Sequence, residues 1–350
     1  MVALAEYLAS RYAAGEERVT ALLDNTEIHI APTLNPDGFE RKTLFGQSIR
    51  ENAHNKDLNR AFPTWEQLGN TREELLRDRE PEVRAAVEWI LDNPFVLSIN
   101  FHDGAVVANY PWDQANTRPW ERSAVFTGRP SGPTNLTPDS AEFESLARQY
   151  AARHATMSDP AKVGSCPLGT FQHGVTNGVD WYEVIGGMQD FNYLYSNCME
   201  ITVELSCTKK PPASKLQGEW ENNRDSLLTY LEQGGRAVRG LVTDEAGQPL
   251  PGAAVRVEGR MKDVLTSEEG EYWRVLVPGR YRLKAVAGDR ESEEVEVLVK
   301  EGEAGREGPT VNLQLTRYHS YKFGFEERVF FYNGTIDVVH TNNDQCKNIV

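Results

Sequence analysis

Phe95-Val96-Leu97-Ser98-Ile99-Asn100-Phe101-His102 alternates its side chains, with Leu97, Ile99 and Phe101 on one face and Ser98, Asn100 and His102 on the other. That period of two predicts a half-buried strand. The same rhythm returns in Met199-Glu200-Ile201-Thr202-Val203-Glu204-Leu205-Ser206. There Ile201, Val203 and Leu205 share one face, and Thr202, Glu204 and Ser206 the other. Around these two strands the period becomes helical. Leu4, Leu8 and Tyr12 lie four apart in residues 3–13, and Val83, Ala86, Val87 and Ile90 stripe residues 79–92. Residues 138–155 and 216–232 read the same way. Glu27–Pro32 predicts a further short strand, closed by a turn at Asn35-Pro36-Asp37-Gly38. Strands separated by helices predict an α/β domain, a mixed sheet with helices on both faces.

Gly234-Gly235 ends that pattern. Beyond it come short β-rich runs, among them 237–242, 254–257, 272–277, 280–286, 294–299 and 311–315, separated by turn clusters such as Val277-Pro278-Gly279. Near-regular spacing of this kind predicts a small all-β sandwich. The expected organisation is therefore an α/β domain over 1–235, a sandwich over 236–316, and a tail over 317–350 that is poorly ordered or needs a partner. A chain of 350 residues is long enough for two domains.

Composition narrows the function. The formal charge of −15 argues against a nonspecific nucleic-acid binder or a polybasic membrane binder. No apolar run approaches the roughly 18 residues a spanning helix needs, and the opening residues carry Glu6 within a helical rhythm, unlike a signal peptide. The four cysteines, Cys166, Cys198, Cys207 and Cys346, allow three pairings and contain no Cys-x-x-Cys. Two glycosylation sequons begin at Asn135 and Asn333.

His102 closes a strand at its carboxyl end, where open α/β sheets bind ligands, and is a candidate metal ligand. Glu204, if its face lies in a cleft, has the desolvated carboxylate of a general base. In Asp57-Leu58-Asn59-Arg60, Arg60 has the fork that grips a carboxylate, with Asn59 adding a donor. Each residue alone has an ordinary alternative: a strand-end histidine, a solvated glutamate, a loop held by an Arg–Asp pair. Asp113, at the end of Asn109-Tyr110-Pro111-Trp112-Asp113, marks only a turn.

Order and spacing change that balance. Six segments carry a resemblance: Asn35-Pro-Asp-Gly-Phe-Glu40; Arg50 followed nine residues on by Asn59-Arg60; Phe101-His-Asp-Gly-Ala-Val-Val-Ala-Asn-Tyr-Pro-Trp-Asp113; Thr176-Asn-Gly-Val-Asp-Trp-Tyr182; Gly186-Gly-Met-Gln-Asp-Phe-Asn-Tyr193; and Glu200-Ile-Thr-Val-Glu-Leu-Ser-Cys207. Together they resemble the zinc metallocarboxypeptidases of the regulatory type, the group of carboxypeptidases D, E and M. The β-rich region resembles their transthyretin-like domain. The resemblance implies hydrolytic removal of C-terminal Arg or Lys from peptides or proteins in the secretory pathway or outside the cell. His102 would be one of three protein ligands to a catalytic zinc, Glu204 the general base and Arg50 the oxyanion stabiliser. Asn59 and Arg60 would hold the substrate's terminal carboxylate, Tyr182 would close over it, and Asp113 with Gln189 would select the basic side chain.

One departure matters most. The family's His-x-x-Glu zinc motif does not occur in these residues; neither His29 nor His54 opens one. The family places it shortly before a helix like that at 3–13, so an N-terminally shortened form is expected, a weak zinc binder with little activity. The alternative is a non-catalytic carboxypeptidase-like protein serving in binding or adhesion. Ala61 and Asp103 are smaller departures, standing where the family has Asn and Gly.

Overall fold

The structure is a computed structural model that describes residues 1–41, 50–127, 135–164, 166–209, 211–301 and 307–316, with the backbone alone of 317, 327–332 and 335–340. Its first part is built on a four-stranded mixed sheet of β1 (Leu97–His102), β2 (Val107–Tyr110), β3 (Val175–Asn177) and β4 (Met199–Glu204), in the order β1-β4-β2-β3. The two stretches that opened the sequence reading are neighbours. β1 and β4 run parallel, with Ser98 beside Glu200, Asn100 beside Thr202 and His102 beside Glu204. β2 then runs antiparallel to β4 and parallel to β3.

Register of this kind sorts the side chains. The apolar face of Met199, Ile201 and Val203 joins the main core, where it meets Phe143, Leu146, Ala147 and Tyr150 of one helix (Ser140–Arg153) and Leu227, Leu228 and Tyr230 of another (Ala213–Gly235). Two amino-terminal helices, Val2–Ala13 and Glu17–Asn25, add Leu4, Leu8, Val19 and Leu22 to it. On the opposite side a smaller cluster forms between Leu58, Phe62, the helix Pro81–Asp92 and Phe191 of the helix Met188–Tyr195. Helices therefore cover both faces, as expected.

Two local expectations fail. Residues 27–32 form no strand: no described strand pairs with them, so Ile28 and Ile30 pack on the core while His29 rests against Trp89 and Phe95. Asn35-Pro36-Asp37-Gly38 starts a short helix, Pro36–Glu40, because the Asn35 side chain accepts the Gly38 N–H and proline fits the first helical turn.

The second part is a β-sandwich. Its strands are β5 (Val238–Thr243), β6 (Ala254–Val257), β7 (Val264–Leu265), β8 (Glu271–Arg274), β9 (Gly279–Ala287), β10 (Arg290–Ser292), β11 (Val295–Val299) and β12 (Leu313–Arg317). They enclose Val238, Val242, Val255, Leu283, Ala285, Leu313 and Leu315. The sandwich is fastened to the first part by main chain and by charge. Thr127 N–H donates to Met261 O at 2.6 Å and Asp263 N–H to Val125 O at 2.8 Å. Arg274 makes a two-pronged ion pair with Asp139, at 2.6 and 2.9 Å, both side chains being buried. Beyond it, 327–332 and 335–340 form an antiparallel hairpin; the rest of the expected tail lies outside the described residues. No described helix is long and apolar enough to cross a membrane.

A disulfide joins Cys166 to Cys207, and Cys198 is free and buried. The sequence had left the pairing open. Cys346 lies outside the described residues.

Candidate active site

The carboxyl ends of β1 and β4 open into a small cleft lined by Asn59, His102, Asn109, Asp113, Gly178, Trp181, Tyr182, Val184, Thr202 and Glu204. Five of the sequence-predicted residues, from four separate segments, thus meet at one place. His102 and Glu204 arrive there because they are paired positions of two parallel strands. His102 Nδ1 faces Glu204 Oε1 at 3.9 Å, and its Nε2 lies 3.4 Å from Asn59 Nδ2. Burial, reinforced by the charge of Arg50, lowers the His102 pKa to about 4, so the ring is neutral at neutral pH and suited to be a ligand. Burial, and then the charge of Asp103, raises Glu204 to about 7. A carboxylate so poised, with Oε2 unpartnered among the described residues, has the properties of a proton acceptor.

Asn59 is set by its own loop. Asp57 accepts the Asn59 N–H at 3.1 Å and caps a short helical turn, while Asn59 Oδ1 accepts the Met188 N–H at 3.0 Å. Arg50 and Arg60 flank the cleft without lining it. Arg50 Nε donates to Asp57 Oδ2 at 2.7 Å, and Arg60 Nη1 to Asn59 O at 2.7 Å. Tyr182 stands at the rim, 45% exposed, with its ring on edge to Trp181.

Asp113 is held from every side. Asn109 Nδ2 donates to its Oδ1 at 2.8 Å, its backbone O accepts Val184 N–H at 2.8 Å, and its N–H donates to Asp190 Oδ1 at 2.9 Å. Burial raises its pKa to about 6, against the lowering by the Asn109 bond and the charge of Arg60. Gly178 is required beside it: a Cβ there would stand 1.9 Å from Asp113 Oδ1. Gln189 is buried behind Thr202, whose N–H it accepts at 2.7 Å, and its Nε2 has no partner among the described residues.

Asn109, Gly178, Trp181 and Asp190 lay inside the quoted segments but had no role from sequence. For Gly178 and Asp190 the partner, Asp113, is distant along the chain, 77 residues in the case of Asp190, and no local spacing signals that contact.

Among the described residues, no group of three or more His, Cys, Asp or Glu is arranged to hold a metal ion. A catalytic zinc takes three protein ligands and keeps an open position. Among the described residues of the cleft His102 offers a single imidazole, so these residues by themselves do not fit a catalytic zinc.

A family model described as zinc carboxypeptidase, peptidase M14, matches residues 1–226, and one described as carboxypeptidase regulatory-like domain matches 237–316. The chain belongs to the zinc carboxypeptidase family. It is 42% identical over 321 residues to human carboxypeptidase D, covering 87% of this chain and 22% of that protein. It is 39% identical over 337 residues to the rat carboxypeptidase N catalytic chain, covering 91% of this chain and 70% of that protein. The chain thus spans about a fifth of the carboxypeptidase D relatives it matches. Carboxypeptidase relatives and a regulatory-like sandwich agree with the resemblance carried by the six segments.

Proposed function

We propose that the cleft recognises the free C-terminus of a peptide or protein ending in Arg or Lys, and that its lineage removes that residue by zinc-dependent hydrolysis. The observation that carries the reading is Asp113: a buried carboxylate at the cleft wall that forms no ion pair among the described residues. A guanidinium or ammonium from a ligand supplies the missing cation, and a charge-assisted bond in a dry site discriminates strongly against apolar ends. Gln189 is assigned to the same pocket from behind Thr202. Asn59 and Arg60 are assigned to the terminal carboxylate, which only a chain end presents. Arg50 is assigned to the oxyanion, Tyr182 to closing the rim, and Glu204 to taking and returning the proton.

Zinc, when bound in this family, supplies Lewis-acid chemistry at the scissile carbonyl. These residues contribute His102 and no His-x-x-Glu, so the 350 residues on their own are assigned weak zinc binding and little turnover. The same observation favours a second reading, a carboxypeptidase-like binding protein that grips peptide ends without cutting them. A secretory or extracellular setting is supported by the Cys166–Cys207 disulfide, since such bonds persist in oxidising compartments. Asn135 is described and is assigned as a glycosylation acceptor, though its amide is engaged by Asp180 at 2.7 Å.

The test is calorimetry and cleavage with tripeptides ending in Arg, Lys or Phe, with zinc content measured on the same protein. Binding of the basic ends with little hydrolysis is the expected result. Equal binding of Phe removes the role of Asp113. Full turnover would overturn the metal argument.

A further inference from the structure

Asp190 has no part in the proposed chemistry, yet it is 5% exposed and forms no ion pair among the described residues. It lies in the first turn of the helix Met188–Tyr195, where an acidic residue is favoured by the helix dipole. Its oxygens reach out of the helix. Oδ1 accepts the Asp113 N–H at 2.9 Å, and Oδ2 accepts the Gln114 N–H at 2.9 Å and lies 3.2 Å from the Asp113 nitrogen. Two consecutive backbone N–H groups are thereby clamped by one carboxylate. Asp113 is then fixed at its nitrogen by Asp190, at its carbonyl by Val184 N–H and at carboxylate Oδ1 by Asn109. Gln114 Nε2 extends the clamp to Glu66 Oε1 at 3.0 Å.

We infer that Asp190 is a positioning residue for the recognition of basic C-termini, holding the main chain of Asp113 and Gln114 so that the Asp113 carboxylate faces the cleft. This rests on the reading of the cleft proposed above. A recognition carboxylate must stay within fractions of an ångström of its ligand's N–H groups to discriminate. A loop residue acquires that rigidity only from bonds to its backbone, and Asp190 supplies two of them. An apolar terminus does not use the Asp113 carboxylate and is indifferent to its exact placement.

The experiment is calorimetric affinity for two tripeptides, one ending in Arg and one in Leu, in wild type, Asp190→Ala, Asp190→Asn and Asp113→Asn. In Asp190→Ala, the affinity for the Arg peptide is expected to fall on the order of tenfold or more, a moderate cost for a displaced contact. The Leu peptide should change by less than about threefold, whereas general damage to the fold lowers both. Asp190→Asn keeps one acceptor oxygen but turns an amide NH2 toward the second backbone N–H, so its selectivity is expected to fall between wild type and Asp190→Ala. Selectivity unchanged in Asp190→Ala overturns the inference, and so does an equal loss for the Arg and Leu peptides, because Asp190 then supports the fold and not the placement of Asp113. A wild type that does not separate the two peptides overturns the reading of the cleft, and the inference with it.

Discussion

Asp113 and Asp139 are both buried, at 4% and 0% exposed, and the fold treats them in opposite ways. Asp139 sits at the seam between the α/β part and the sandwich, and the second part brings its counter-ion: the Arg274 guanidinium grips both carboxylate oxygens and Tyr193 Oη adds a third bond at 2.8 Å. Burial alone would raise its pKa, but the charge and bonds of Arg274, with the bond from Tyr193, hold it below the usual carboxylate range. Asp113 is given an amide, two glycine-lined walls and no ion pair among the described residues, and burial raises it to about 6. A protein that completes one buried carboxylate internally and leaves another incomplete beside a cleft is poised to complete the second with a ligand. The first is structure. The second is a recognition element under the proposed function.

The largest expected effect comes from breaking the completed pair. Arg274→Ala leaves Asp139 buried and uncompensated, and should cost about 3–5 kcal/mol of stability in chemical denaturation. Gly178→Ala comes next. Its Cβ has no room beside Asp113 Oδ1, so a loss of about 1–3 kcal/mol, typical of overpacking, should accompany closure of the pocket to basic peptides. Asp113→Asn should leave melting unchanged or raise it, since it removes a buried charge, while lowering affinity for Arg-ended peptides by roughly ten- to a hundredfold. If Asp113→Asn destabilises as Arg274→Ala does, the contrast between the two sites collapses.

Acidity should sharpen the comparison by a smaller effect. The Asp113 carboxyl has a folded pKa near 6, above its ordinary 3.8, so the folded state holds more protons between those values. Its contribution to stability is fully present below 3.8 and lost as pH rises through 6. Asp139 runs the other way, its contribution present above the ordinary aspartate pKa and lost as pH falls below that range. Calorimetric affinity for an Arg-ended peptide should therefore fall from pH 7 to 5, steepening below 6, while the seam stays closed over the same interval.

Legibility in the sequence divided along physical lines. Wherever a regular period met a buried face, the sequence reading agreed with the structure: the strands ending at His102 and Glu204, the helices around residues 81–92, 140–153 and 213–235, and the β-rich runs after Gly235. The strand expected at 27–32 had the right residues but lacked a neighbour to pair with, and a strand is defined by its partner. Helix Glu17–Asn25 passed unnoticed because nine residues show too few turns for a stripe. Of the residues singled out from the six segments, Asn59, His102, Asp113, Tyr182 and Glu204 line one cleft, while Arg50, Arg60 and Gln189 do not. Asn109, Gly178 and Asp190 were not singled out, because their importance lies in contacts to Asp113 that only the folded chain creates.

The in-register parallel pairing of β1 and β4 has a consequence for how the molecule fails. His102 and Glu204 are the two partners of one rung of the ladder, with side chains on the same face. A slip by a single residue would turn one of them away entirely, so this pair has no half-working arrangement to drift into. Heat or denaturant should abolish peptide recognition in the same cooperative step that melts the central sheet, without a softened intermediate that still binds.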